Sequence, residues 1–126
     1  MATTIMLVDD SPICNLIMKK VLGRIPIDIN THDFTDPVLA FSQLLLLNPA
    51  LVFLDLNMPQ LDGWGFLEQM KATGQTNRVI ILTSSTSALD RERCAEFPNV
   101  LAYYTKPLTQ ILVRELGHIF QRELAE

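Results

Sequence analysis

Cysteine is scarce in this chain of 126 residues. Cys14 and Cys94 are too few and too far apart for a disulfide framework or a zinc site, and they read as reduced, partly buried thiols of a cytoplasmic protein. Basic runs are also missing. Nothing longer than Lys19-Lys20 occurs, and the net charge is −4 with a pI near 5.1. That balance argues against nucleic acid or an anionic membrane as the main partner. Long apolar runs are absent too: Leu44–Leu47 falls far short of the roughly 20 residues that span a bilayer, so membrane insertion is not expected. The opening Met1-Ala2-Thr3-Thr4 lacks the basic and apolar regions of a signal peptide. His32 and His118 have no ligand-like spacing to each other or to either cysteine, and both read as surface residues. No repeat, linker or low-complexity segment divides the chain, which is expected to form one domain over residues 1–126.

What is present is apolar residues, at 48% of the chain, arranged as short runs alternating with helical patterns. That alternation predicts βαβ units around a parallel sheet. Thr4–Val8 reads as the first strand. Ser11 is a candidate N-cap, with Pro12 in the first helical turn where its missing N–H costs nothing. Ile13, Leu16, Ile17, Val21 and Ile25 follow helical spacing, and Pro26 ends that helix. Ile27–Phe34 alternates polar and apolar residues, as suits a half-exposed edge strand. Asp36-Pro37 begins a second helix with Val38, Phe41, Leu44 and Leu45 on its inner face, and Asn48-Pro49 stops it.

Leu51–Leu54 is continuously apolar, as expected of a strand buried on both faces. A third helix runs from Asp62-Gly63 to Thr73-Gly74, and Arg78–Leu82 is the fourth strand. A short fourth helix spans Ala88–Glu96, Val100–Tyr104 is the fifth strand, and a last amphipathic helix starts at Leu108 with Leu112, Leu116, Ile119 and Leu124 inward. Right-handed crossovers make a doubly wound α/β sandwich the natural solution. Periodicity does not reveal strand order.

Charged residues close three of the apolar runs: Asp9 and Asp10 the first, Asp55 the third, Lys106 the fifth. In open parallel sheets the carboxyl ends of the strands form the ligand crevice. A sheet of order 2-1-3-4-5 would bring these residues into one acidic pocket beside a single amine. Two carboxylates about 5 Å apart repel by roughly 3 kcal/mol at an effective dielectric near 20. Such a cluster must therefore protonate or bind a cation, and hard oxygen ligands suit Mg²⁺. Asp55, exposed at the crevice, is placed to act as a nucleophile on phosphorus.

Val8-Asp9-Asp10-Ser11-Pro12, Leu54-Asp55-Leu56-Asn57-Met58-Pro59 with Asp62-Gly63, Thr83-Ser84 and Lys106-Pro107 together resemble the receiver domain of two-component response regulators, in order and across the whole chain. The resemblance implies a flavodoxin-like, three-layer (βα)₅ sandwich and a phosphoacceptor rather than an enzyme. It implies that Asp55 takes phosphate from a histidine kinase or histidine phosphotransfer domain. Asp9 and Asp10, with Asp55 and the Asn57 backbone carbonyl, would hold Mg²⁺. Lys106, Thr83 and Ser84 would serve the phosphate oxygens, with Asn57 beside them. Tyr103 would be the aromatic switch, opposite in facing to Tyr104, and a cis Lys106–Pro107 peptide would aim the lysine inward.

The expected partners are the kinase, docked on the first helix near Ile13 and Met18 at the fringe of its stripe, and a downstream protein target. A homodimer through the face of the fourth helix, fifth strand and fifth helix is left open. A stand-alone receiver and an excised module both fit the chain ends. Two rivals stay open at this point: a phosphatase of the haloacid dehalogenase type, whose second acid is replaced here by Asn57, and a degenerate receiver that only binds. Gly65, just inside the third helix, departs from the larger residue common in relatives.

Overall fold

Strands and helices alternate without exception along the described residues of the computed structural model, 2–107 and 110–124. The order is β1 (Thr3–Val8), α1 (Pro12–Leu22), β2 (Ile29–Phe34), α2 (Pro37–Leu47), β3 (Leu51–Leu54), α3 (Gly63–Ala72), β4 (Arg78–Thr83), α4 (Ala88–Arg93), β5 (Val100–Thr105) and α5 (Gln110–Glu123). A 3₁₀ turn, Cys94–Glu96, continues α4. All neighbouring strands pair in parallel, in the order β2-β1-β3-β4-β5. This is the order that the acidic pocket requires.

Register then decides which residues meet. Val8 pairs with Leu54, and the Asp55 amide donates to the Val8 carbonyl at 3.0 Å. Asp9 and Asp55 therefore leave the sheet side by side. Thr83 pairs with Thr105, and the Lys106 amide donates to the Thr83 carbonyl at 2.7 Å, so Lys106 leaves at the same edge.

Side chains alternate across the sheet. Met6, Val8, Val52, Leu54, Val79 and Ile81 face a core with Ala40 and Leu44 of α2 and Phe66, Leu67 and Met70 of α3. Ile5, Leu7, Leu51, Phe53, Ile80 and Leu82 face the other, with Met18, Val21 and Leu22 of α1 and Leu116, Ile119 and Phe120 of α5. Central strands buried on both faces explain the unbroken apolar runs.

The helix starts follow the expected capping chemistry. Ser11 Oγ accepts the Cys14 amide at 3.3 Å, Asp36 Oδ1 the Val38 amide at 2.9 Å and Asp62 Oδ1 the Gly65 amide at 2.8 Å. Each satisfies an otherwise unpaired first-turn N–H. Pro12 and Pro37 occupy first-turn positions. Asn48 ends α2 in the left-handed conformation at φ 43°, which asparagine tolerates better than most residues.

The helix phases differ from the sequence expectation in two helices, α1 and α2. In α1, Ile13 is 69% exposed and Leu16 and Ile17 are also outside, while Val21 and Ile25 are buried as expected. Met18, assigned to the fringe, is instead core. The cause is Asn15, which is buried and donates its side-chain amide to the carbonyls of Asp9 and Phe34, both at 3.2 Å. Anchoring a polar side chain inward turns the helix away from its most apolar face. In α2, Leu44 is buried and Phe41 half-buried, but Val38 and Leu45 are exposed. That helix is apolar nearly all round, so periodicity carries little phase information. Strand β2 begins at Ile29, two residues later than expected, and does lie at the sheet edge. In α5, Leu116 and Ile119 are buried and Leu124 is half-buried. The expected start at Leu108 and the inward Leu112 lie outside what is described.

Candidate functional site

The carboxyl edge of the sheet carries a compact set of charges. Lys106 reaches across it: its Nζ lies 2.6 Å from Asp9 Oδ2 and 3.4 Å from Asp55 Oδ2. Asp9, Asp10 and Asp55 each bring a carboxylate oxygen within 4.8 Å of the others. Asp9 and Asp55 are buried, whereas Asp10 is exposed. The remaining oxygens are held by backbone: Asp9 Oδ1 accepts the Ser11 amide at 2.9 Å, and Asp55 Oδ1 accepts the Asn57 amide at 3.3 Å.

Burial and charge compete here, and the two partners of the Lys106–Asp9 ion pair shift in the same direction. Burial pushes the Asp9 carboxyl above the usual aspartate range, against the opposing pull of the Lys106 ammonium and the Ser11 amide. Burial alone would lower the Lys106 ammonium, but the Asp9 hydrogen bond and the charges of Asp55 and Asp9 outweigh it and hold it above the ordinary lysine range. The lysine is therefore a permanent cation. Asp9 is a carboxylate that one ammonium leaves only partly compensated. Three acids against one amine, with oxygen donors this close, suit a second and divalent cation; hard oxygen sets of this kind fit Mg²⁺.

Thr83 ends β4 wholly buried, and its Oγ1 accepts the Ser85 amide at 3.3 Å. Ser84 stands exposed at the rim. The Lys106–Pro107 peptide is cis, as expected. Gly63 is required by close approach: a Cβ there would lie 2.5 Å from the Asp55 carbonyl oxygen and 2.7 Å from Leu56 Cα. Its amide donates to the Leu56 carbonyl at 3.0 Å, so the start of α3 is packed against the backbone that carries Asp55.

A cavity of about 550 Å³ opens beside the acids, walled by Asp10, Asn57, Met58, Asp62, Trp64 and Asp90. A larger one, about 850 Å³, lies at the opposite edge of the sheet near Thr3, Asn48, Asn77 and Arg78. Size does not identify the site in this molecule; the convergence of charge does.

Tyr103 and Tyr104 face opposite cores, as expected. Tyr103 is turned inward, its hydroxyl donating to the Ser85 carbonyl at 3.0 Å. The Arg91 guanidinium covers its ring at 4.7 Å and donates to its carbonyl at 3.4 Å. Sequence reasoning missed Arg91, together with Asp90, Asn15 and the approach of Cys14 Sγ to Lys106 Nζ at 3.4 Å. Only Ser11-Pro12, which sets the first turn of α1 beside Asp9, hinted that Cys14 would face the site.

Comparison with known proteins agrees with this geometry. The family described as response regulator receiver domain matches residues 5–116. A protein-glutamate methylesterase/protein-glutamine glutaminase of Albidiferax ferrireducens is 31% identical over 111 residues, 86% of this chain and 32% of that protein. The chain spans less than a third of the length of the curated relatives it matches first. The Mn²⁺-bound response regulator Rcp1 superimposes with a TM-score of 0.77 at 27% identity, covering 94% of this chain and 92% of the other. The Mg²⁺-bound receiver domain of a Pseudomonas aeruginosa sensor histidine kinase gives 0.80 at 23% identity over the whole of both chains. No helix among the described residues is long and apolar enough to cross a membrane. The strand order, the acidic cluster at the sheet edge and the family match over most of the chain lead to one conclusion: this chain belongs to the receiver domains of two-component response regulators.

Proposed function

We propose that Asp55 is the phosphoacceptor, and that Asp9, Asp10, Asp55 and the Asn57 carbonyl form a Mg²⁺ site. The observation that carries this reading is the Lys106 ammonium in contact with both Asp9 and Asp55. A carboxylate oxygen of Asp55 attacks the phosphorus of a phosphohistidine. The new O–P bond forms as the P–N bond breaks, and the imidazole leaves with the bonding electron pair, to be protonated. Bound Mg²⁺ would supply charge neutralisation on the phosphoryl oxygens.

The chain's own residues do the rest. Burial of Asp55 excludes competing water from its carboxylate. Lys106 stays charged and is placed to move from the acids onto a phosphoryl oxygen. The Thr83 hydroxyl, whose oxygen accepts the Ser85 amide at rest, can turn toward another such oxygen. Ser84 is small and exposed, so it leaves the entry path open, and its amide can serve the same group. Positioning and charge neutralisation are the main protein contributions to phosphoryl transfer.

The donor is a histidine kinase or a histidine phosphotransfer domain. Ile13, Leu16 and Ile17 stand exposed on α1, on the helix that starts beside Asp9. An apolar patch at that place suits a docking helix of the donor. Met18 takes no part in it. Output runs to a downstream protein through the α4–β5–α5 face, where Tyr103 and Thr83 couple through Ser85; that face also suits a homodimer. The test is acetyl phosphate with Mg²⁺, followed by intact-mass measurement. One phosphoryl group added, labile at alkaline pH and absent without the metal, supports the reading; turnover of a phosphomonoester with no stable adduct contradicts it.

A further inference from the structure

Helix α4 is a weakly anchored element. None of its six residues is buried, so burial of apolar area does not fix it on the domain. Polar and stacking contacts do so instead: Arg91 and Arg93 cover Tyr103 and Trp64, and Asp90 joins two hydrogen-bond donors. Its Oδ2 accepts the Ser85 hydroxyl at 2.6 Å, and its Oδ1 accepts the Trp64 indole N–H at 3.3 Å. Ser85 in turn donates its amide to Thr83 Oγ1 at 3.3 Å and accepts the Tyr103 hydroxyl on its carbonyl at 3.0 Å. A continuous chain of hydrogen bonds thus runs from Trp64 on α3 through Asp90 and Ser85 to the Thr83 hydroxyl. Trp64 is itself packed against two side chains, stacked on Phe97 with centroids 5.9 Å apart and covered by the Arg93 guanidinium at 4.7 Å.

We infer that Asp90 is a positioning residue for the phosphate-binding loop: it ties Ser85, and through it Thr83, to the packed indole of Trp64. The inference rests on the reading of Asp55 as phosphoacceptor. Charge-assisted hydrogen bonds are the strong members of such networks, and Asp90 is the one charged member of this chain. When Thr83 turns to a phosphoryl oxygen, the Ser85 amide loses its acceptor, the loop shifts, and Asp90 transmits the shift to the indole.

Trp64 is the single tryptophan of the chain, so its emission reports the far end of the network directly. Wild type, Asp90→Ala, Asp90→Asn and Ser85→Ala are each treated with Mg²⁺ and then acetyl phosphate, with uptake followed by intact mass and emission recorded alongside. Mg²⁺ alone sets the baseline for each protein. Phosphorylation of wild type is expected to change Trp64 emission beyond that baseline. In D90A and S85A most of that additional change is expected to be lost, because the hydrogen-bonded path from Thr83 to the indole is broken. D90N keeps one oxygen for the Trp64 indole, and its amide N–H can donate to the Ser85 hydroxyl oxygen, so it retains more of the response than D90A. Slower phosphate uptake by D90A at an unchanged melting temperature also supports the inference.

A wild-type-sized response in D90A or S85A overturns it, as does a D90N response no larger than that of D90A. Should D90A fail to fold, S85A against wild type decides alone. Wild type that takes up no phosphate overturns the Asp55 reading, and this inference with it.

Discussion

Lys106 is bonded more closely to Asp9, at 2.6 Å, than to Asp55, at 3.4 Å. In the proposed reading, the cation that would serve the phosphoacceptor rests on a carboxylate of the proposed metal site. Removing it leaves two buried acids facing each other with no amine between them. Lys106→Ala is expected to lose about 1–3 kcal/mol without metal, toward the low end because the lysine is partly exposed. Mg²⁺ should restore a larger share of stability to the variant than it adds to wild type. Urea melts with and without Mg²⁺ check this; equal midpoint shifts in the two proteins would contradict it.

With Asp9 in the proposed Mg²⁺ site, metal binding is expected to depend on pH. Burial raises its carboxyl above the ordinary value of 3.8. The stability this group contributes in the metal-free protein is therefore fully present below 3.8 and is lost as pH rises through the raised value. Mg²⁺ needs the ionised form, so protons compete with it at a higher pH than an ordinary aspartate would allow. Mg²⁺ affinity, read by Trp64 emission, is expected to fall as pH drops from neutrality toward the upper carboxylate range. Asp9→Asn should bind more weakly throughout and lose the pH-dependence that Asp9 causes. A wild-type affinity flat to pH 4 would contradict the assignment.

The two early glycines of α3 should behave oppositely. At Gly63 a methyl group meets backbone at 2.5 Å, which cannot yield without moving the strand end that carries Asp55. Gly63→Ala is expected to cost about 2 kcal/mol or more through overpacking and to weaken Mg²⁺ binding. At Gly65 the nearest atom is the Leu61 side-chain methyl at 2.8 Å, which can rotate aside. Gly65→Ala should be neutral or stabilising by up to about 1 kcal/mol, the helix preference of alanine. Thermal melts of both variants decide, and comparable losses would show that the clash at Gly63 is not the governing contact.

Asn15 is the hidden brace of the site. Its buried amide ties the carbonyls at the ends of β1 and β2. Asn15→Ala leaves both carbonyls short of a donor and opens a small void, a loss of about 2 kcal/mol. The same change should weaken Mg²⁺ binding, because the Asp9 backbone is no longer held. A destabilised variant with unaltered Mg²⁺ affinity would mean that the brace supports the fold alone.

The architecture was largely legible in the residues because it depends on coarse features. Continuous apolar strands such as Leu51–Leu54, caps such as Ser11-Pro12 and Asp36-Pro37, and acids at strand ends each have one ready physical explanation. Strand order came from the requirement that Asp9, Asp10 and Asp55 meet, not from periodicity. Helix phase was the weak point. The inward turn of Asn15 rotates α1 away from Ile13 and Leu16, and the nearly uniform apolar surface of α2 hides which leucines face in. The contacts of Asp90, Arg91 and Cys14 were invisible for another reason. They join residues far apart in sequence through side-chain geometry, and no local pattern marks them.

The most direct test of the central claim is the position of the acyl phosphate. Protein treated with acetyl phosphate and Mg²⁺ is reduced with borohydride, which converts an aspartyl phosphate to homoserine, and is then mapped by peptide mass spectrometry. Homoserine at position 55 alone, with no conversion in Asp55→Asn, is the predicted result. Conversion at position 9 or 10, or none at all under full Mg²⁺ occupancy, would contradict the account.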